Sequence, residues 1–135
     1  MKINKQFGRN LRFLRYASGI IMRGSGLSQN ELAKKLGVSR KTIVFWESGQ
    51  VPSARRLTDL CEFFSRHLKL EEPITPDDML TKNIEDYFMV VPERGEVHRV
   101  KPEFKKFLRD LYARADKLTP NDLEKIMKII DELLR

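Results

Sequence analysis

Residues 28–53 of the chain, SQNELAKKLGVSRKTIVFWESGQVPS, leave few options for local structure. Ser28 is a good N-cap, and Glu31 three residues later completes a capping box. Leu32, Ala33 and Leu36 share one face of the helix that follows, and Gly37 supplies its C-terminal stop. A next helix starts at Ser39 and ends at Gly49, with Ile43 and Trp46 turned inward. Ser53 caps another, whose Leu57, Leu60, Cys61 and Phe64 keep the three-and-four spacing. The first two of these helices are short and tightly joined, so they must cross steeply, and the second then projects from the body. Gly37 is free to take the positive φ that such a turn needs. Small Ala33 lets the helices approach, while Val38, Ile43 and Trp46 fill the space beneath. Arg40, Lys41, Thr42, Val44 and Phe45, with Ser39 at the start, are left facing outward. Two cations and two hydroxyls at one helix end suit phosphates and base edges.

The flanking sequence predicts a mainly α chain in three parts: 1–70, 71–101 and 102–135. Phe7, Leu11 and Leu14 recur at helical spacing, so an amphipathic helix starts near Asn4, with Arg9, Arg12 and Arg15 on other faces. It continues through Ile20–Met22 or stops at Gly19, before RGSG breaks it. Past Leu70, EEPITPDD is acidic and proline-bearing: a linker, or a short capping helix starting near Pro76. YFMVVPERGEVHRV places two β-prone runs around a Pro/Gly turn and fits a small hairpin or an extended linker. Pro102 opens a helix with Phe104, Phe107, Leu108, Leu111 and Tyr112 on one side. Thr119-Pro120 starts the last, where Leu123, Ile126, Ile130 and Leu133 form a seam pattern. A C-terminal helical hairpin is expected from these two.

The formal charge of +7 is unevenly spread. Residues 1–70 carry 14 Lys/Arg against 4 Asp/Glu, residues 71–101 carry 4 against 8, and residues 102–135 carry 8 against 7. A concentrated basic N-terminal half attracts polyanions, nucleic acid before anionic membrane. Enzyme readings find little support. His67 and His98 are isolated from any second ligand at metal spacing, so no metal is expected. Cys61 lies on an apolar helical face as a small core residue. RGSGLS lacks the ending of a phosphate loop, and no cofactor is expected. One cysteine, no apolar run near 20 residues and no apolar leader point to a cytoplasmic protein off the membrane.

The central segment resembles the Cro and phage-repressor (Xre-like) family of helix-turn-helix proteins, and the resemblance covers residues 7–70. It implies a Cro/repressor-like helical bundle, operator DNA as ligand, a dimer, and no cofactor. DNA contacts are implied for Ser28 and Gln29 opening the second helix, and for Ser39, Arg40, Lys41, Thr42 and Phe45 on the recognition helix. The turn after it, with Ser48 and Gln50, is implied to meet phosphate. Arg15 and Glu47 hold the positions of a structural ion pair. There are two departures. YASGIIMRGS between Arg15 and Gly26 is longer than the usual connection, and either lengthens the first helix or forms a loop with Arg23 near the DNA backbone. Val44 and Phe45 are apolar where polar base-readers are common; Phe45 either touches thymine methyls or packs on the inserted segment.

The expected function is a sequence-specific regulator binding double-stranded DNA, as a dimeric repressor. Phe104, Leu108, Leu111, Leu123, Ile126, Ile130 and Leu133 are the expected dimer contacts. The alternatives are that the same faces cover the N-terminal bundle, or that the C-terminal region binds a partner protein or small effector, as in an antitoxin-like regulator.

Overall fold

The structure, a computed structural model, describes residues 3–133, without the side chain of Leu133. Helix α1 spans Lys5–Arg23, capped by the Asn4 side chain on the Phe7 amide and closed by left-handed Gly24. Its apolar face (Phe7, Leu11, Leu14, Ala17, Ile20) is buried. The helix runs straight through Gly19 because that residue serves packing. A Cβ there would lie 2.3 Å from the Leu27 amide nitrogen and from the Ser25 carbonyl oxygen. The long connection thus becomes a lengthened α1 and a short return loop pressed against it.

Helices α2 (Gln29–Leu36), α3 (Arg40–Glu47) and α4 (Ala54–His67) follow. Ser28 and Glu31 exchange both capping-box bonds, and Gly37 takes φ 71° with its N–H on the Ala33 carbonyl. Ser39 and Ser53 cap α3 and α4 through the Thr42 and Arg56 amides. Leu32, Ala33, Ile43, Trp46, Leu57, Leu60, Cys61 and Phe64 join Phe7, Leu11, Leu14 and Ala17 of α1 in one core.

Residues 71–101, expected as a linker with a possible capping helix near Pro76 and a possible hairpin, are part of this first compact unit, which runs to Pro102. Helix α5 (Pro76–Thr81), a 3-10 turn (Ile84–Tyr87) and strands β1 (Phe88–Val91) and β2 (Glu96–Arg99) succeed one another. The strands pair antiparallel, Phe88 opposite Arg99 and Val91 opposite Glu96, so the hairpin alternative holds. The physical reason is burial: Ile74, Met79, Ile84 and Phe88 are all in the core. Each such side chain contributes about 1.5–3 kcal/mol when removed from water.

Polar groups fix the register of that packing. Asn10, buried on α1, donates to the Met79 carbonyl at 2.9 Å and the Lys82 carbonyl at 2.7 Å, and accepts from the Ile84 amide at 3.0 Å. Asn4 donates to the Leu80 carbonyl at 3.0 Å, and the Ser65 hydroxyl accepts from the Ile74 amide at 2.8 Å. Burying an amide costs free energy unless its bonds are made. Here they are made to backbone that is distant in sequence.

The second unit, 103–135, holds α6 (Pro102–Ala113, its first residue at the boundary), a 3-10 turn (Ala115–Lys117) and α7 (Pro120–Leu133). Thr119 and Asp122 exchange the two bonds of a capping box at the start of α7. No described side chain of 103–132 is buried. Phe104, Leu108, Leu111, Ile126 and Ile130 are half-buried and Leu123 is exposed, while the side chain of Leu133 lies outside the described residues. Among the described residues no helix is long and apolar enough to cross a membrane. The fold is therefore mainly α, with one small antiparallel sheet.

Candidate nucleic-acid interface

Helix α3 divides its residues sharply. Ile43 and Trp46 enter the core, while Arg40, Lys41, Val44 and Phe45 face solvent, Val44 at 38% and Phe45 at 42% exposure. An exposed valine and phenylalanine side by side lose hydration free energy unless something covers them. The Lys41 ammonium lies 5.6 Å from the Phe45 ring centroid, an attraction that orients both side chains. Phe45 is exposed beside Lys41.

Several polar residues at the interface have local bonds. The Ser39 and Thr42 hydroxyls bond each other at 2.9 Å, and Ser39 also accepts from the Thr42 amide. The Ser28 hydroxyl accepts from the Glu31 amide, and Ser48 donates to the Phe45 carbonyl at 2.6 Å. A hydroxyl keeps further capacity after one bond, so capping and a phosphate contact are compatible. Gln50, half-buried, donates its backbone N–H to the Phe45 carbonyl at 3.1 Å and bridges Ile3 in a short extended contact.

The C-terminal end of α3 is anchored from below. Arg15 Nε and Nη2 reach the two Glu47 oxygens at 2.8 and 2.9 Å, and Arg15 Nη1 donates to the Leu27 carbonyl at 2.7 Å. Glu47, 2% exposed, also accepts from Gln29 Nε2 at 3.2 Å. The network therefore ties α1, the return loop, α2 and α3 around one carboxylate. Arg12 Nε stands 3.6 Å from the same Glu47 oxygen that Gln29 uses, yet its side chain is 64% exposed. Sequence reasoning placed Arg12 only on an outer face of α1; a long-range partner leaves no periodic signal.

Arg23 is placed differently from the DNA-backbone role raised for it. It binds both Glu31 oxygens and the Gly26 carbonyl, closing the return loop. The Glu31 carboxyl is held below its ordinary value by the Ser28 amide first and the Arg23 guanidinium second. Elsewhere, burial pushes the Cys61 thiol up to about 11, which suits packing and not nucleophilic attack. Among the described residues no His, Cys, Asp and Glu cluster could hold a metal ion.

Comparison with curated proteins and with solved structures gives no match. A family model described as helix-turn-helix matches residues 21–70, from the last turn of α1 to just past α4. That span, less than half of the chain, is a helix-turn-helix domain of the Cro/C1 type, the DNA-binding module of transcription regulators.

Proposed function

We propose that the protein is a sequence-specific, dimeric repressor that reads a two-fold-related site with one α3 from each copy. The observation that carries this reading is the outer face of α3, where Arg40, Lys41, Val44 and Phe45 project together from a buried Ile43–Trp46 base. Arg40 and Lys41 are suited to guanine O6 and N7 or to phosphate, and Phe45 with Val44 to thymine methyl groups. Ser28, Gln29, Ser39, Thr42, Ser48 and Gln50 surround that face and would hold the backbone. Half-sites would lie about 10 bp apart, or a multiple of that. Selection of bound duplexes from a random pool checks this. The expected outcome is a near-palindrome with that spacing; enrichment of an asymmetric site, or of none, would count against a dimeric reader.

A second copy is assigned to the C-terminal unit because its apolar side chains have no full cover in the described residues. Phe104, Leu108 and Leu111 on α6 and Leu123, Ile126 and Ile130 on α7 are the contacts, with Leu133 expected to extend the seam. Charge favours pairing α6 with the α7 of another copy. Helix α6 carries Lys105, Lys106 and Arg109 against Glu103 and Asp110, whereas α7 carries Asp122, Glu124, Asp131 and Glu132 against Lys125 and Lys128. Opposite signs beside an apolar seam stabilise and orient such pairs. Removing residues 103–135 is expected to turn a dimer into a monomer by light scattering. A truncated chain that still has the mass of two copies would refute this interface. If the full chain is monomeric and binds a different protein through 103–135, the partner-binding alternative takes its place.

A further inference from the structure

Beside the recognition helix, α1 presents a second basic surface. Arg9 and Arg12 are three residues apart on its exposed side, and with Gln6, Tyr16, Asn83 and Glu85 they line an open cleft. Tyr16, 42% exposed, lends this cleft an aromatic wall. The position of Arg12 is what gives the cleft a partner. Its guanidinium and the Gln29 amide converge on one oxygen of Glu47, so Arg12 emerges beside the start of α2. Glu47 already holds Arg15 by two bonds below 3 Å, while Arg12 stands off at 3.6 Å. The Arg12 charge therefore remains directed to solvent at the rim of the DNA-facing surface.

We propose that Arg12 and Arg9 form a phosphate-binding ledge that grips the DNA backbone outside the base pairs read by α3. This rests on the DNA-binding reading above and adds to it a contact off the helix-turn-helix. Spacing favours the backbone as occupant. Phosphates succeed one another about every 3.4 Å of axis along one strand. Arg12 and Arg9 lie one helical turn apart, about 4.5 Å along α1, and their long side chains can reach neighbouring phosphates of one strand. Such contacts raise affinity and its salt dependence without carrying sequence information.

The test uses the full chain, a duplex carrying the selected site and a scrambled duplex of equal length, followed by fluorescence anisotropy across a series of KCl concentrations. Arg9→Ala and Arg12→Ala are each expected to weaken both duplexes by the same factor and to flatten the slope of log affinity against log salt by about one. Trimming the duplex flanks should reproduce that loss in the wild-type chain and add nothing in the Arg9→Ala/Arg12→Ala double variant. Arg12 also neighbours Glu47, so Arg9→Ala, which leaves that network intact, carries the test if Arg12→Ala unfolds. Unchanged slopes, or a changed ratio between selected and scrambled duplex, would overturn the ledge while leaving the α3 reading in place. A wild-type chain that binds no duplex would overturn both.

Discussion

Arg40→Ala combined with Lys41→Ala is expected to lower affinity for the selected duplex by roughly 100-fold or more, with folding unchanged. Each cation that reads a guanine contributes on the order of 1–3 kcal/mol of discrimination, and each phosphate contact adds to the salt-dependent part. A loss near 3 kcal/mol corresponds to about two decades in the dissociation constant. Both side chains are exposed at the start of α3, and Ile43 and Trp46 below them are untouched. Alanine is at least as good a helix former as Arg or Lys, so the melting temperature should move little. Lys41→Ala also removes the cation 5.6 Å from the Phe45 ring and frees that ring to turn. Part of the loss therefore falls on thymine discrimination, visible as a smaller penalty for exchanging A·T pairs within the half-site. Anisotropy titration and thermal melting of the same sample decide the matter. Retained affinity in a folded double variant would rule α3 out as the reader.

The second large effect is on stability. Glu47→Ala is expected to destabilise the first unit by about 3–5 kcal/mol, the usual cost of removing one member of a buried, hydrogen-bonded ion pair. Arg15 would keep its bond to the Leu27 carbonyl but lose both carboxylate bonds, and Gln29 would lose its acceptor. A domain of this size has only about 5–15 kcal/mol in total, so the urea midpoint should fall by a large fraction. Glu47→Gln keeps an acceptor for one arginine nitrogen and should cost clearly less. A double-mutant cycle with Arg15→Met isolates the pair; a coupling below about 0.5 kcal/mol would show the two side chains to be independent. DNA binding should weaken with Glu47→Ala as well, because α3 and the Gln29 end of α2 lose a common anchor.

What was legible from residues alone was local. The Ser28–Glu31 box, the Gly37 turn and the split of α3 into a buried and an exposed face involve neighbours one helical turn apart. At that distance spacing and residue type determine geometry. Arg15 with Glu47 was legible only through resemblance, since 32 residues separate them. Arg12 was missed for the same cause. Side-chain bonds that compete for a hydroxyl, as between Ser39 and Thr42, also need coordinates to be seen.

Residues 71–101 mark the boundary between the two kinds of knowledge. Their acidic, proline-bearing start has the composition of a linker, and their buried residues Ile74, Met79, Ile84 and Phe88 follow no single period. The reason is that they belong to four different local structures, a loop, α5, a 3-10 turn and β1, each contributing one side chain to a core built elsewhere. Asn10 supplies three of the bonds that hold this stretch, across 69 to 74 residues of sequence. The last turns of α1 also meet the hairpin, whose Gly95 sits where a Cβ would lie 3.2 Å from the Ile20 carbonyl oxygen. The sequence by itself determined the helix-turn-helix, because capping, turn chemistry and helical period act over a few residues. Only the tertiary structure decided that the following segment completes the same core, because burial and long-range hydrogen bonds are set by the whole chain.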